Sequence, residues 1–195
     1  MLSATASKSC ASCWHSWPMS EPTRLHFRAA TAADIPAIVA LTQSAYRGES
    51  SRTGWTTEAD LLDGQRVDAQ AVGDCITRAR SRIVIAERDG ALIASAHVAV
   101  DDGAGYFGMF SVSPGAQGSG IGRQMLAEAE RVARDEWQQS TMRMTVIDVR
   151  DELIAWYQRR GYRRTGIIKP FPYGDARFGI PRRDDLRFEV LEKAL

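Results

Sequence analysis

A glycine-rich turn at residues 110–122 is the segment of this chain best suited to bind a ligand. It reads Phe-Ser-Val-Ser-Pro-Gly-Ala-Gln-Gly-Ser-Gly-Ile-Gly and leads from a strand pattern through a Pro-Gly turn into a helix pattern. Glycines let the backbone approach a ligand because no Cβ stands in the way. Free N–H groups at a helix N-terminus attract anions. The turn therefore predicts a phosphate-binding site.

Two familiar phosphate-binding motifs do not fit this turn. A Walker A loop that begins at Gly115 requires a lysine at position 121, where the chain has Ile121. A dinucleotide fingerprint that begins at Gly118 requires a glycine at the position of Arg123. The site is thus neither of these two kinds.

The hexapeptide Gln-Gly-Ser-Gly-Ile-Gly at residues 117–122 instead resembles the Q/R-x-x-G-x-G/A signature of the GCN5-related N-acetyltransferases (GNAT). Residues 153–162, Leu-Ile-Ala-Trp-Tyr-Gln-Arg-Arg-Gly-Tyr, resemble the fourth helix of that family, and the order of elements is similar over residues 25–191. One departure is Arg150, which stands where many members have a cofactor-contacting asparagine. The resemblance implies an acetyl-CoA-dependent N-acetyltransferase.

The elements that must position these residues alternate between strand and helix patterns, with a hairpin signal at Asp89-Gly90. Such mixing indicates a central sheet covered by helices. With the resemblance, it predicts an α/β fold of the α+β type: a single-domain GNAT fold with a mixed, mostly antiparallel sheet of about seven strands and about four helices. Strands are predicted at residues 25–28, 82–87, 91–100, 106–112, 142–147, 163–168 and 186–191, and helices at residues 34–41, 67–79, 118–137 and 151–160.

The resemblance also implies the site residues. The amine attacks directly within a ternary complex, and Tyr157 matches the tyrosine that protonates the departing thiolate. The thioester oxygen is expected beside backbone N–H groups of the strand that ends at residues 110–112. No metal is expected. The expected contacts of acetyl-CoA are Phe110, Ser111, Val112, Gln117, Gly118, Ser119, Gly120, Ile121, Gly122 and Arg123.

The general base is left open by the sequence. Some GNAT members carry a glutamate on the fourth strand, but residues 106–110 contain no carboxylate. Glu49, Glu58 and Asp60 are candidates, although a solvated surface carboxylate is the favoured interpretation of each. His97 is interpreted as a histidine satisfied within the sheet in preference to a proton relay.

The acceptor is expected between two long segments, residues 46–66 and 169–185. Both mix aromatic and charged side chains, and Trp55, Glu58 and Tyr173 are the predicted substrate contacts. Two such segments would close over a small molecule, so a small-molecule or amino-acid-like primary amine is favoured. A protein or peptide N-acetyltransferase and a catalytically idle acetyl-CoA-binding regulatory module are the alternatives.

Composition narrows the class of protein further. The 195 residues carry 25 basic and 24 acidic side chains, a net charge of +1 that gives no reason to expect nucleic acid as a partner. No apolar run reaches the roughly 20 residues of a membrane span. The three cysteines do not make a disulfide framework, so a cytoplasmic protein is expected, and a homodimer is left open.

The first residues differ from the rest of the chain. Residues 1–23 lack periodicity and are predicted to be a disordered leader, with the N-acetyltransferase domain at residues 24–195. Cys10 and Cys13 form a CxxC pair without enough nearby ligands for zinc. Whether Met1 or Met19 is the natural start is undecided.

Overall fold

The computed structural model describes residues 25–195, so the predicted leader lies outside the described residues. Nine strands and five α-helices alternate along this part of the chain, and a π-helical turn, Val132–Glu136, extends the fourth helix. The strands are β1 (His26–Ala29), β2 (Leu62–Asp63), β3 (Ser81–Arg88), β4 (Ala91–Asp101), β5 (Ala104–Val112), β6 (Thr141–Ile147), β7 (Arg163–Pro170), β8 (Ile180–Pro181) and β9 (Arg187–Ala194). The helices are α1 (Ile35–Tyr46), α2 (Gly48–Ser51), α3 (Ala69–Thr77), α4 (Ile121–Arg131) and α5 (Asp151–Gln158).

A seven-stranded sheet with the order β1-β3-β4-β5-β6-β9-β7 forms the centre of the fold. All neighbours are antiparallel except β5 and β6, which pair in parallel. The predicted hairpin joins β3 to β4, where Asp89 and Gly90 both have positive φ. The predicted fold, a mostly antiparallel sheet with flanking helices, is confirmed.

Helices cover both faces of the sheet because side chains alternate along its strands. On β3, Val84 belongs to the larger core, which includes α4 and α5, whereas Ile83 and Ile85 pack in the core below α1 and α3. Burying a residue of this size contributes about 1.5–3 kcal/mol. Within residues 25–195, no helix has the length and apolar character needed to cross a membrane.

The fourth helix differs from its prediction at its start. The sequence predicts a helix from residue 118, but α4 begins at Ile121 because Gly118 and Gly120 have φ of 79° and 84°. These left-handed conformations cannot belong to a right-handed helix. The turn is therefore three residues longer than predicted, which leaves more of its backbone available to a ligand.

The two segments predicted to surround the acceptor pair with each other. Strand β2, from the first segment, is antiparallel to β8, from the second, with Leu62 opposite Pro181. The side chain of Arg182 binds Asp63 through two hydrogen bonds of 2.7 and 2.8 Å. Leu62 of this small second sheet lines the gap described next.

Candidate active site

The central sheet opens between β5 and β6. Their parallel pairing is limited to Gly105 with Met142 and Tyr106 with Arg143, after which the strands separate. In the same part of β5, an extra residue shifts the register with β4, and Met109 has a φ of 44°. Such a bulge bends a strand away from its neighbour. The backbone of β5 beyond Tyr106 therefore has no strand partner on the β6 side.

A pocket of about 600 Å³, open to solvent, occupies this gap. Its walls come from β5, β6, α1, α5 and the loop after β7, and they include Tyr46, Phe110, Thr145, Tyr157 and Phe171. The hydroxyl of Tyr46 donates a hydrogen bond to the carbonyl oxygen of Phe110. This bond holds the separated part of β5 against α1 and keeps the gap in shape.

Tyr157 lies in the wall of this pocket with only 5% of its surface exposed. Its ring packs against those of Trp156, Tyr162 and Phe107, with centroid distances of 5.0, 5.8 and 6.4 Å. Burial, with a smaller effect of Tyr46, raises the pKa of the phenol well above its usual value. Its hydroxyl makes no hydrogen bond to any of residues 25–195. Tyr157 is therefore a protonated phenol that is able to donate to a bound molecule.

Glu58 also lines the pocket, and the expectation that it is a solvated surface carboxylate is wrong. The residue is 4% exposed, and its carboxylate contacts Arg47 at 2.7 Å, Arg150 at 3.1 Å and Arg66 at 3.4 Å. Burial raises its pKa, but the arginines outweigh burial and hold the pKa below its usual value. A carboxylate that is ionised and already paired in this way is poorly suited to act as a general base.

The glycine-rich turn opens a second depression, next to the gap. Helix α4 has no side-chain cap, and its first backbone hydrogen bond runs from the N–H of Gln124 to the oxygen of Gly120. The N–H groups of residues 121–123 therefore have no partner within the helix. A Cβ placed on Gly118 or on Gly120 would meet nothing within 4 Å. This cradle of open space and free donors fits the predicted pyrophosphate of acetyl-CoA.

Aromatic and basic side chains form the rest of this groove, which encloses about 650 Å³ open to solvent. Trp156 lies between Trp55 and Phe110, with both centroid distances 6.2 Å. The guanidinium of Arg160 stacks on Trp156, 3.5 Å from its centroid. Burial and the nearby guanidinium groups of Arg159 and Arg123 lower the pKa of Arg160. Sequence analysis missed Trp156 and Arg160, although both stand within the motif of α5.

Gln117 uses its side chain within the protein. Its amide oxygen accepts from the N–H of Trp55 at 3.0 Å, and its amide nitrogen donates to Thr56 Oγ1 and to the carbonyl of Val112, both at 3.1 Å. Thr56 in turn accepts from Arg150 at 2.8 Å through its carbonyl oxygen. Gln117 thus ties the glycine-rich turn to the loop that carries Glu58.

The other predicted cofactor residues divide into two groups. Those that line the groove are Phe110, Val112, Gln117, Gly118, Gly120, Gly122 and Arg123. Three have other contacts: Ser111 bonds to Thr42 in the interior, Ser119 bonds to the carbonyl of Ala116, and Ile121 is buried in the core. Any contact of Ser111 or Ile121 with a ligand is therefore a backbone contact, whereas the exposed hydroxyl of Ser119 can still accept a hydrogen bond.

The predicted acceptor residues do not converge on one point. Glu58 lines the pocket, but Trp55 lines the groove beside the glycine-rich turn. Tyr173 is 44% exposed, and its hydroxyl accepts from the N–H of Leu186 and donates to the carbonyl of Arg183, so it braces its own loop. Tyr46 and Arg66, the two ends of the first predicted acceptor segment, also line the pocket, although neither was predicted as a substrate contact because no local motif marks them.

The remaining candidate bases lie away from the pocket. Glu49 and Asp60 have side chains 91% and 71% exposed and pair with Arg52, as their surface interpretation predicts. His97 is buried in the sheet, with Nε2 2.8 Å from Ser81 Oγ. Burial lowers the pKa of His97 to about 4. His97 is a satisfied sheet residue, as the sequence favoured.

Comparison with known proteins agrees with this geometry. The family described as "Acetyltransferase (GNAT) domain" matches residues 79–164, which run from just before β3 into β7. A comparison with curated proteins gave no significant match.

Solved structures with the same fold are numerous. A ribosomal-protein-alanine N-acetyltransferase from Brucella melitensis superposes with a TM-score of 0.65 at 22% identity over 87% of this chain and 99% of that one. The spermidine/spermine N-acetyltransferase SpeG from Vibrio cholerae superposes with a TM-score of 0.60 at 13% identity, over 88% of this chain and 95% of that one. A structure from Bacillus anthracis described as a streptothricin acetyltransferase in complex with acetyl coenzyme A superposes with a TM-score of 0.53 at 14% identity, over 64% of this chain and 68% of that one. At these identities, the likeness shows a shared fold.

Proposed function

We propose that this chain, which matches the acetyltransferase (GNAT) family over residues 79–164, is an acyltransferase that moves an acetyl group from acetyl-CoA to the primary amine of a small-molecule or amino-acid-like acceptor. The observation that carries the proposal is the position of Tyr157. Its phenol, unpaired among the described residues, lies in the wall of the gap between β5 and β6, and Phe110 lines both this gap and the groove at the uncapped start of α4. A proton donor and an anion cradle are thus neighbours.

The proposed reaction needs no covalent enzyme intermediate. The amine nitrogen forms a bond to the thioester carbon, and the carbon–sulfur bond breaks as the thiolate leaves. Tyr157 donates its proton to that thiolate, which would otherwise be costly in an enclosed pocket. Burial keeps the phenol protonated until that moment.

The proton of the attacking amine goes to water in this proposal. Among the described residues, Glu58 is the one carboxylate in the wall of the pocket, and its oxygens are paired with arginines. The backbone of β5 beyond Tyr106, which lacks a strand partner toward β6, supplies polar groups for the thioester oxygen. The residues proposed to hold the cofactor are those of the groove, with the pyrophosphate on the N–H groups of residues 121–123.

Two observations favour this function over its alternatives. Leu62 of β2 lines the pocket and is held by the pairing of β2 with β8, which favours a small acceptor over an extended peptide. The hydroxyl of Tyr157, unpaired among the described residues, favours turnover over an idle acetyl-CoA-binding module, since a buried hydroxyl without a partner adds nothing to the packing of the ring. A cytoplasmic location and a homodimer stay predictions.

The test is a screen of primary amines with acetyl-CoA, read out as release of the CoA thiol. We expect at least one small amine to give turnover that depends on enzyme concentration and saturates with the amine. Acetyl-CoA binding should be measured in parallel by calorimetry. Tight binding of acetyl-CoA with turnover only on peptides would support the peptide alternative. Binding without turnover on any amine would support the idle module.

A further inference from the structure

The pocket between β5 and β6 carries more positive than negative charge. Arg47, Arg66 and Arg150 surround the single carboxylate of Glu58, so this buried cluster has a net charge of +2. Two of the arginines, Arg66 and Arg150, line the pocket, while Arg47 lies behind Glu58. A pocket with this excess attracts an anionic group and repels a second cation.

Arg66 is the arginine of this cluster whose spare donors are open to the pocket. The side chain of Arg150 is 9% exposed and donates to Glu58 and to the carbonyl of Thr56. Arg47 also has two donors, Nε and Nη2, without a partner among the described residues, but its side chain is 3% exposed and does not line the pocket. Arg66 is 27% exposed and faces Glu58 through Nε, whereas its two terminal nitrogens hydrogen-bond to none of residues 25–195. Two such donors on a planar guanidinium match the two oxygens of a carboxylate.

Much of the rest of the pocket wall is apolar. Leu62, Phe171, Phe178 and Phe188 line the same pocket as Arg66, and the rings of Phe171 and Phe188 lie 5.4 Å apart. An acceptor that places a charged group on Arg66 can therefore rest an apolar side chain on these residues.

We propose that the acceptor is a primary amine that also carries a carboxylate and an apolar side chain, the chemistry of an apolar α-amino acid, and that Arg66 binds the carboxylate. This inference rests on the proposed acetyltransferase function. It excludes polyamines as good substrates, because their further ammonium groups would enter a pocket that already has an excess of positive charge.

The experiment compares amines that differ only in the carboxylate: L-phenylalanine with phenethylamine, and L-leucine with isoamylamine, with spermidine as a third class. We expect the wild-type enzyme to favour the carboxylate-bearing member of each pair at least tenfold in kcat/KM, about 1.4 kcal/mol. Equal rates within a pair, or spermidine as the best substrate, would overturn the inference and leave the acetyltransferase function intact. Absence of turnover with every amine would overturn both.

The residue is tested with Arg66→Met, which keeps much of the length of the side chain and removes its charge. We expect kcat/KM for L-phenylalanine to fall at least tenfold more than kcat/KM for phenethylamine. Arg52→Met is the matched control, because Arg52 lies in the same loop region and pairs only with surface carboxylates. Equal losses on both amines would assign Arg66 to folding and contradict its role as the carboxylate anchor.

A binding measurement on the wild-type enzyme keeps the inference testable if Arg66→Met does not fold. Calorimetry in the presence of CoA should give a tighter Kd for N-acetyl-L-phenylalanine than for N-acetylphenethylamine, by at least tenfold. Equal affinities would overturn the inference without reference to any variant.

Discussion

Replacing Tyr157 with phenylalanine removes the proton that the proposed mechanism uses and leaves the ring in place. The ring is buried and packs against three other aromatic rings, and all of these contacts survive the change. The hydroxyl hydrogen-bonds to no described residue, so its loss leaves no buried donor or acceptor unpaired. The free energy of unfolding should therefore change by less than about 0.5 kcal/mol.

The effect on rate should be much larger. A positioned general acid contributes about 10²–10⁴-fold, so kcat should fall at least about 100-fold, or roughly 2.7 kcal/mol in the activation barrier. Acetyl-CoA affinity should be unchanged, since the groove that is proposed to hold its pyrophosphate does not include Tyr157. The assay is release of the CoA thiol at saturating acceptor, with thermal unfolding measured on the same preparation.

Tyr162→Phe is the matched control for this variant. Tyr162 packs on Tyr157, but its hydroxyl donates to Glu130 at 3.0 Å, and it does not line the pocket. Its loss should cost about 1–3 kcal/mol of stability, the scale of a hydrogen bond to a charged group, although the partly buried Glu130 keeps its ion pair with Lys193, and should leave kcat unchanged. Near-normal turnover of Tyr157→Phe would refute the reasoning, and Tyr157 would then be a packing residue with water as the acid.

Three further predictions concern the groove and the sheet. Gly120→Val should weaken acetyl-CoA binding at least tenfold, about 1.4 kcal/mol, because the valine side chain would enter the open cradle at a position with a φ of 84°. Calorimetry with acetyl-CoA measures the affinity. Gly115→Ala, which also places its side chain in open space, is the control and should bind normally. Gln117→Ala should raise the KM of the acceptor about three- to tenfold, the scale of one or two hydrogen bonds, because the loop at residues 55–56 loses its hydrogen bonds to the glutamine side chain. A larger effect on acetyl-CoA affinity would instead make Gln117 a direct cofactor contact. His97→Gln should reduce the acid sensitivity of folding. Burial lowers the pKa of His97 from 6.5 to about 4 in the folded protein, so the unfolded chain binds the proton more readily. The wild-type protein should therefore lose up to about 3 kcal/mol of stability as the pH falls from about 6.5 to 4, and the variant should not. Denaturant unfolding of wild type and variant at pH 7 and pH 4 measures the difference, and equal losses in both proteins would contradict the assignment.

The sequence by itself determined the order of the seven strands of the central sheet and the location of the glycine-rich turn. Both depend on local chemistry: runs of apolar residues define β3 and β4, Asp89-Gly90 favours a tight turn, and the glycines at residues 118–122 allow left-handed backbone. Tyr157 was predicted from the family resemblance of its contiguous motif, and its catalytic role stays a proposal. Local signals of this kind survive without any knowledge of tertiary contacts.

Only the tertiary structure decided the character of the acceptor pocket. In sequence, Glu58 resembles any surface carboxylate in a polar stretch, and its burial follows from Arg150, which lies 92 residues away along the chain. No local motif marks Arg66. Its spare donors face the pocket only because the fold leaves a gap between β5 and β6. Charge pairing and burial depend on contacts between distant segments, which composition and spacing do not specify. The net positive charge of the pocket, and the acceptor chemistry that we infer from it, thus come from the fold.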